Sequence, residues 1–275
     1  DKKIPGKTAG ELVLEITDLI SREEKLRGTI SAVLIKDFHK PLQPGKLLED
    51  EKFTRFLVEP NLVIELPKGL NSLTDYTALF SKKYRNRAKA IFRSLGHVEA
   101  RYLETDEIRS LEAEMYTLYE SIFDRARFKL LKLPRHYFSE VKKLSGKDFI
   151  VKGFFAGNKL IGFASCFVMP DKSLEAHYIG FDYELNNVHD LYQNILYTMI
   201  DEGIRQQCRC VNLGRTAAEI KTTVGARPQE LLCYIKPQNT ISRLIQKPFI
   251  SFLQPAPWTP RNPFKEVNSE GVTEV

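Results

Sequence analysis

The chain has 275 residues, of which 43% are hydrophobic and 28% are charged, and its formal net charge is +6. These values are typical of a globular protein with one large core or two smaller ones, and they argue against long disordered segments. The longest apolar run, residues 160–169, has the length of a strand and is far short of the roughly 20 residues that a membrane-spanning helix needs. The positive charge favours anionic partners, but a charge this small is equally consistent with simple solubility.

The first seventy residues contain a helix pattern over 11–28, a strand pattern over 31–38 and a pair of strands over 53–67. The same order of elements returns over residues 190–236. We therefore expect a duplication, in which residues 1–68 form a partial copy of a domain that residues 69–238 contain in full. The chain does not begin with Met, which fits a fragment or a processed form. No signal peptide is visible, so the cytoplasm is the expected location.

Three amphipathic helices are predicted next, over residues 72–96, 105–126 and 133–146. The first has a Ser/Thr/Asp start and a glycine stop, and Pro134 suits the beginning of the third.

An antiparallel meander is predicted over residues 149–184. Two apolar, β-rich runs flank a Gly-Asn turn at 157–158, and a third strand covers 173–184. A helix over 190–205 then leads to a short buried strand over 208–213. A strand, helix and strand in this order usually make a right-handed parallel connection, so the sheet should be mixed and mostly antiparallel, in an α/β fold.

Cysteine and histidine give no sign of a disulfide framework or a metal. The four cysteines lie in or beside predicted strands and are expected to be small core residues. The five histidines have no zinc-ligand spacing to another histidine or cysteine, so no structural metal is expected.

Four segments together resemble the Fem-like branch of the GNAT acyltransferase fold, which includes the aminoacyltransferases of peptidoglycan interpeptide bridges. They are DYTALFSKKYRNRAKA, EAHYIGFDYE, LYQNILYTMIDEGI and LGRTAAEIKTTVGARP, and the resemblance runs from about residue 72 to 238. The family's tandem GNAT domains also account for the partial N-terminal repeat. The resemblance implies an N-acyltransferase with no tightly bound cofactor, acting in bacterial cell-envelope metabolism.

The donor implied by this resemblance is either acyl-CoA or aminoacyl-tRNA. GNAT enzymes usually hold the coenzyme A pyrophosphate with a Gln/Arg-x-x-Gly-x-Gly/Ala loop at the start of the helix after the splayed strands. This sequence has no glycine between Gly180 and Gly203, so that loop is missing. Fem-like proteins often lack it, and those with known activity use aminoacyl-tRNA, so the donor stays open at the level of sequence.

The segment VNLGRTAAEIKTTVGA places two cations beside the end of a predicted strand. Gly214 permits a tight exit, Arg215 and Thr216 follow at the edge where α/β folds bind ligands, and Lys221 lies on a short predicted helix over 216–224. Arg215 and Lys221 are predicted to bind one phosphate or carboxylate of a small or carrier-linked substrate. The alternative is that Arg215 pairs within the fold and Lys221 is solvated.

Three residues of the strand at 173–184 are candidates for catalysis. His177 suits a general base, Tyr178 a proton donor, and Asp182 the orientation of an amine. Each also has an ordinary structural interpretation, in packing or at the strand end. His177 lies on one face of a regular strand, and Tyr178 and Asp182 lie on the other, so only one set should line a cleft.

Weaker candidates lie on the helices and in the tail. Tyr192 and Asn194 are in the first turns of the helix at 190–205 and are candidates for contact with the donor. Arg85 belongs to a row of cations over 82–89 that suits phosphates, including those of tRNA, or is a solvated face. The Pro-rich tail, residues 239–275, either contacts a membrane surface peripherally or packs on the domain, the latter being expected. DNA-binding motifs are absent from the sequence.

The sequence therefore predicts transfer of an acyl or aminoacyl group to an amine. A second hypothesis is a non-catalytic GNAT-fold module that recognises an anionic cell-envelope precursor. The missing glycine loop and the lack of a clear base keep that hypothesis open.

Overall fold

The computed structural model describes residues 6–28, 30–39, 45–126, 129 and 131–265. By its contacts the chain divides into two units, each made of two segments. The first unit is Asp1–Asn61 with Pro228–Trp258, and the second is Leu62–Arg227 with Thr259–Val275. The domain boundaries predicted at residues 68 and 238 mark the ends of the expected repeats. Units defined by contacts do not test repeats, so these boundaries stay a prediction.

The helices are α1 (Gly6–Arg27), α2 (Lys46–Asp50), α3 (Leu73–Ala78), α4 (Lys82–Ser94), α5 (Thr105–Ser110), α6 (Glu112–Phe123), α7 (Tyr137–Ser145), α8 (Tyr183–His189), α9 (Leu191–Arg205), α10 (Ala218–Thr223) and α11 (Thr240–Leu253). The strands are β1 (Ala32–His39), β2 (Thr54–Glu65), β3 (Val98–Tyr102), β4 (Phe149–Ala156), β5 (Lys159–Val168), β6 (Ser173–Phe181), β7 (Cys210–Asn212) and β8 (Arg227–Pro237).

In the first unit, β8 lies between β1 and the first residues of β2, and it pairs antiparallel with β1. Alternate side chains of a strand point to opposite faces of its sheet. Leu231, Cys233 and Ile235 therefore pack on one side, where residues of α11 cover them. Leu232 and Tyr234 pack on the other side, in a cluster with residues of α1 and α2.

In the second unit, β3, β4, β5 and β6 form an antiparallel meander in that order. β7 joins parallel to β6, with Ser173 opposite Cys210, and the last residues of β2 pair antiparallel with β7. This confirms the predicted meander and the predicted parallel strand. The sheet is mixed and mostly antiparallel.

One face of this sheet is covered by α6 and α7. Their side chains pack with those of β4 and β5 in a cluster that is rich in aromatic rings and includes Tyr119, Phe138, Phe149 and Phe163.

The opposite face is covered by α9, and a buried ion pair fixes this helix to the meander. Lys152 Nζ of β4 lies 2.8 Å from Glu202 Oε2, whose side chain is fully buried. Glu202 also accepts hydrogen bonds from Tyr102 and Gln206. Burial alone raises the pKa of Glu202, but the hydrogen bond and charge of Lys152, with the bonds from Gln206 and Tyr102, bring it below the usual value.

Several predicted boundaries are wrong in detail. The helix predicted over 72–96 is divided into α3 and α4, and the one over 105–126 into α5 and α6, where Leu111 leaves the helical conformation. The helix predicted from residue 133 begins only at Tyr137, after Pro134. The strand pair predicted over 53–67 is the single strand β2, which contains Pro60.

The strand predicted to reach residue 184 ends at Phe181, and the chain then forms α8, which the sequence analysis missed. The side chain of Asp182 accepts hydrogen bonds from the N–H groups of Glu184 and Leu185, and this N-cap starts the helix. All four cysteines are buried, in agreement with their predicted role as core residues.

The order helix, strand, short helix and strand occurs twice, as α1–β1–α2–β2 and as α9–β7–α10–β8. That order agrees with the predicted duplication, which still requires a superposition of the two sets. Part of the tail predicted from residue 239 is α11, with Pro248 inside it.

Candidate functional site

A cavity of about 640 Å³ lies where β6 and β7 separate. The two strands pair over only three residues, and β6 then continues to Phe181 while β7 ends at Asn212. Side chains of α6 line one side of the cavity and side chains of α9 line the other. Since these helices cover opposite faces of the sheet, the opening extends through the sheet itself.

An irregularity in β6 brings His177 and Tyr178 to the same cavity. Ala164 pairs with Ile179 and Cys166 with Ala176. The single residue Ser165 of β5 therefore lies opposite two residues of β6, His177 and Tyr178. Such a bulge interrupts the alternation of side chains. The two rings lie 4.6 Å apart, and both line the cavity. The prediction that only one face of this strand lines a cleft is therefore wrong.

His177 is a neutral imidazole near pH 7. Burial lowers its pKa to about 4. Its Nε2 atom lies 2.7 Å from the hydroxyl of Tyr137 on α7. A histidine with this pKa is a weak general base at neutral pH, but it can position a neighbouring hydroxyl or an incoming amine.

The loop after β7 forms the next wall of the cavity, and its backbone is strained. Gly214, Thr216 and Ala217 all have positive φ angles, of 70°, 64° and 48°, and the last two are not glycine. Left-handed conformations of such residues cost roughly 1–2 kcal/mol each. Strain of this kind concentrates at functional sites.

Lys221 holds this loop in place. Its side chain lies at the cavity wall with only 5% of the residue exposed, and its Nζ donates hydrogen bonds to Leu213 O, at 2.7 Å, and to Arg215 O. The alternative of a solvated Lys221 is therefore wrong. The buried ammonium stabilises the strained loop and adds positive charge to the cavity.

Arg215 is partly buried and also lines the cavity, so the structure brings the two predicted cations together at one site. Apart from His177 and the two cations, the described lining residues are uncharged. They are Tyr119, Ile122, Phe123, Ala126, Ala176, Tyr178, Ile179, Phe181, Tyr183, Asn186, Tyr192, Ile195, Leu196, Met199, Leu213, Gly214, Thr216, Ala217 and Ile220. One end of the cavity therefore favours an anion, and the remainder favours apolar or aromatic groups.

A second set of contacts fixes the far end of the same loop and helix. Tyr76 Oη, on α3, donates a hydrogen bond of 2.8 Å to Val224 O. A side chain at Gly225 would meet the Tyr76 hydroxyl at 2.3 Å and the Phe264 ring at 2.8 Å. Two of the segments that carried the family resemblance, around Tyr76 and around Lys221, therefore meet in the folded unit.

Three predicted site residues lie outside the lining of this cavity. The carboxylate of Asp182 caps α8 and lies 3.6 Å from Lys159 Nζ. The amide of Asn194 is buried and donates to the carbonyls of Ile91 and His189, each at 2.9 Å. Arg85 is partly buried on α4, whereas the neighbouring Lys83 and Arg87 are exposed.

One backbone N–H group in the first turn of α9 is occupied by the protein's own side chain. Asn186 Oδ1 accepts the N–H of Tyr192 at 2.8 Å, and both residues line the cavity. Tyr192 is largely buried, and burial raises its pKa. Asn186, Tyr137 and Tyr76 were missed by the sequence analysis, because no local pattern marks a residue whose partner is distant along the chain.

The chain is similar to known proteins in structure. No protein-family model matches the chain, and no curated protein matches it by sequence. Among solved structures, it is similar to L-PGS from Bacillus licheniformis, with a TM-score of 0.56, 11% identity, and coverage of 88% of this chain and 78% of the other.

A C-terminal domain (DUF2156) from Agrobacterium fabrum, assigned to a lysylphosphatidylglycerol synthetase, gives a TM-score of 0.56 and 13% identity, with coverage of 86% and 77%. FemX gives a TM-score of 0.56 and 12% identity, with coverage of 87% and 79%. The fold is thus similar to those of FemX and of these two synthetase structures, in agreement with the Fem-like resemblance of the sequence. Identities this low establish the fold alone.

Proposed function

We propose that the protein transfers an aminoacyl group from an activated ester to an amine, with aminoacyl-tRNA as the donor and an acceptor of the bacterial cell envelope. The observation that carries the proposal is the cavity between β6 and β7, closed on one side by the strained loop with Arg215 and by Lys221 of α10. The likeness of the fold to FemX and to lysylphosphatidylglycerol synthetases supports this class of reaction.

The hydrogen bond in the first turn of α9 and the position of α8 favour aminoacyl-tRNA over acyl-CoA. A coenzyme A pyrophosphate in the standard GNAT position needs free N–H groups at this helix start. Here the N–H of Tyr192 is already bonded to Asn186, and α8 occupies the connection where the glycine loop would run. An aminoacyl ester at the end of a tRNA does not require those groups.

In the reaction, the amine nitrogen attacks the ester carbonyl, and a C–N bond forms while the C–O bond to the ribose breaks. The amine loses a proton and the ribose oxygen gains one. The cations at the cavity wall stabilise negative charge that develops on the carbonyl oxygen or is already present on the substrate. Neutral His177, bonded to Tyr137, orients the reacting groups near Tyr178. Positioning of the two reactants in the cavity supplies the remaining effect.

The test uses hydroxylamine as a general amine acceptor and measures formation of aminoacyl hydroxamate from a charged tRNA pool. We expect turnover at least tenfold above background, and loss of most of it in Arg215→Ala. A matched control is Arg109→Ala, an exposed arginine outside the cavity.

Turnover with acetyl-CoA and not with charged tRNA would contradict the choice of donor. Binding of charged tRNA without turnover would support the alternative of a recognition module instead.

A further inference from the structure

The helix α11 in the first unit has two apolar faces, and the described part of the chain covers one of them. Phe249, Ile250 and Leu253 pack on the sheet cluster of that unit. On a different side of the helix, Ile241 is 72% exposed, Leu244 74% and Ile245 56%.

Helical spacing extends this exposed side into a continuous stripe. Positions 241, 244, 245, 248 and 252 lie within roughly 100° of one another around a helix of 3.6 residues per turn. Phe252, at the end of the stripe, is 42% exposed. Scattered single apolar residues on a surface need no explanation, but a contiguous stripe of this kind marks an interaction site.

The charges on the helix identify the kind of partner. Arg243 and Lys247 are exposed, and the sequence TISRLIQKPFISFL contains no acidic residue. By contrast, α1 in the same unit also exposes apolar side chains, including Leu12 and Ile16, but carries several acidic residues in its sequence. α11 therefore combines exposed apolar groups with purely positive charge, and α1 does not.

We propose that α11 binds the surface of an anionic lipid bilayer, with its exposed stripe inserted at the headgroup boundary. Amphipathic helices with cations and large apolar side chains bind membranes in this way. Each cation near an anionic surface adds about 1 kcal/mol, or about fivefold in partition. Among the described residues no helix is long and apolar enough to cross a bilayer, so contact through α11 would be at the surface. This inference does not depend on the proposed reaction.

The test is co-sedimentation of the whole chain with vesicles of phosphatidylcholine alone or with 30% phosphatidylglycerol. We expect partition onto the anionic vesicles that falls as salt rises. The double variant Leu244→Ser/Ile245→Ser should reduce partition onto the anionic vesicles at least tenfold. The double variant Arg243→Gln/Lys247→Gln should lose most of the preference for anionic vesicles.

The matched control is Leu12→Ser/Ile16→Ser, which removes two exposed apolar side chains from α1. It should bind vesicles like the wild type, and melting curves should show that all variants remain folded. An equal loss in the α1 control, or no binding to anionic vesicles, would overturn the proposal. If the α11 variant instead converts a dimer into a monomer by light scattering, with no effect on vesicles, a second copy of the chain covers the stripe.

Discussion

The loop that closes the cavity should depend on Lys221 for its shape. Replacement of Lys221 by Met keeps the length of the side chain but removes both hydrogen bonds to Leu213 O and Arg215 O. Hydrogen bonds to a charged group contribute about 1.5–3 kcal/mol each, so the gross loss is roughly 3–6 kcal/mol. Methionine does not need desolvation as an ammonium does, and this offsets part of the loss. We expect a net loss of about 2–3 kcal/mol in the free energy of unfolding.

Urea denaturation measures this loss, and calorimetry with a non-hydrolysable 3′-aminoacylamino-adenosine measures binding. The comparison variant is Arg215→Ala, whose partly buried side chain lies at the cavity. It should change stability by less than about 1 kcal/mol and weaken binding by roughly tenfold to a hundredfold, the effect of a lost charge-assisted bond. An unchanged urea midpoint for Lys221→Met would refute the role of its ammonium. Destabilisation of Arg215→Ala with unchanged affinity would show that this arginine serves the fold.

The other predictions concern packing, the buried ion pair and pH. Gly225→Ala should lower the melting temperature strongly, because its φ is 102° and its Cβ would collide with Tyr76, whereas Gly157→Ala, at a turn with open space, should cost only about 1–2 kcal/mol. Glu202→Gln should lower the free energy of unfolding, measured with urea, by about 3–5 kcal/mol, because it leaves the Lys152 ammonium buried without a counter-charge. A smaller loss of this free energy in the double variant Glu202→Leu/Lys152→Met would support that cause. The pKa of His177 is about 4 in the fold against 6.5 when exposed, so its contribution to stability is complete above pH 6.5 and is lost as pH falls toward 4. The urea midpoint of His177→Phe should therefore change less with pH in that window than the midpoint of the wild type. The same change with pH in both proteins would contradict the low pKa.

The sequence predicted well those elements of the fold that depend on short-range patterns. The meander was predictable because apolar residues alternate on either side of a Gly-Asn turn, and β7 because a helix of suitable length precedes a short apolar run. By contrast, Glu59-Pro60-Asn61 resembles a turn, although it lies inside β2. The pairing of β2 within the sheet overrides that local preference.

The candidate site was predictable in part. The exit of a buried strand into Gly214 and Arg215 indicated the cavity edge correctly, because the ends of strands in α/β folds place such residues at a cleft. The burial of Lys221 was not predictable, since its partners are backbone carbonyls fixed by the folded loop. Nor was the bulge opposite Ser165, because a register shift depends on both strands and leaves no mark in either one alone.

The contacts of Phe264 make folding of the chain depend on the order in which its segments are synthesised. Its ring packs against Tyr76 and Phe80, nearly 190 positions earlier in the chain, and the first unit likewise needs Pro228–Trp258 to join residues from its beginning. During translation, the ribosome therefore releases most of the second unit before either unit is complete. Domains that are contiguous in sequence can fold one after the other as they emerge, but here neither unit can. The aromatic cluster of Tyr76 and Phe80 stays incomplete until Phe264 has been synthesised, so growing chains of this protein are expected to need protection from aggregation until residues 228–264 have left the ribosome.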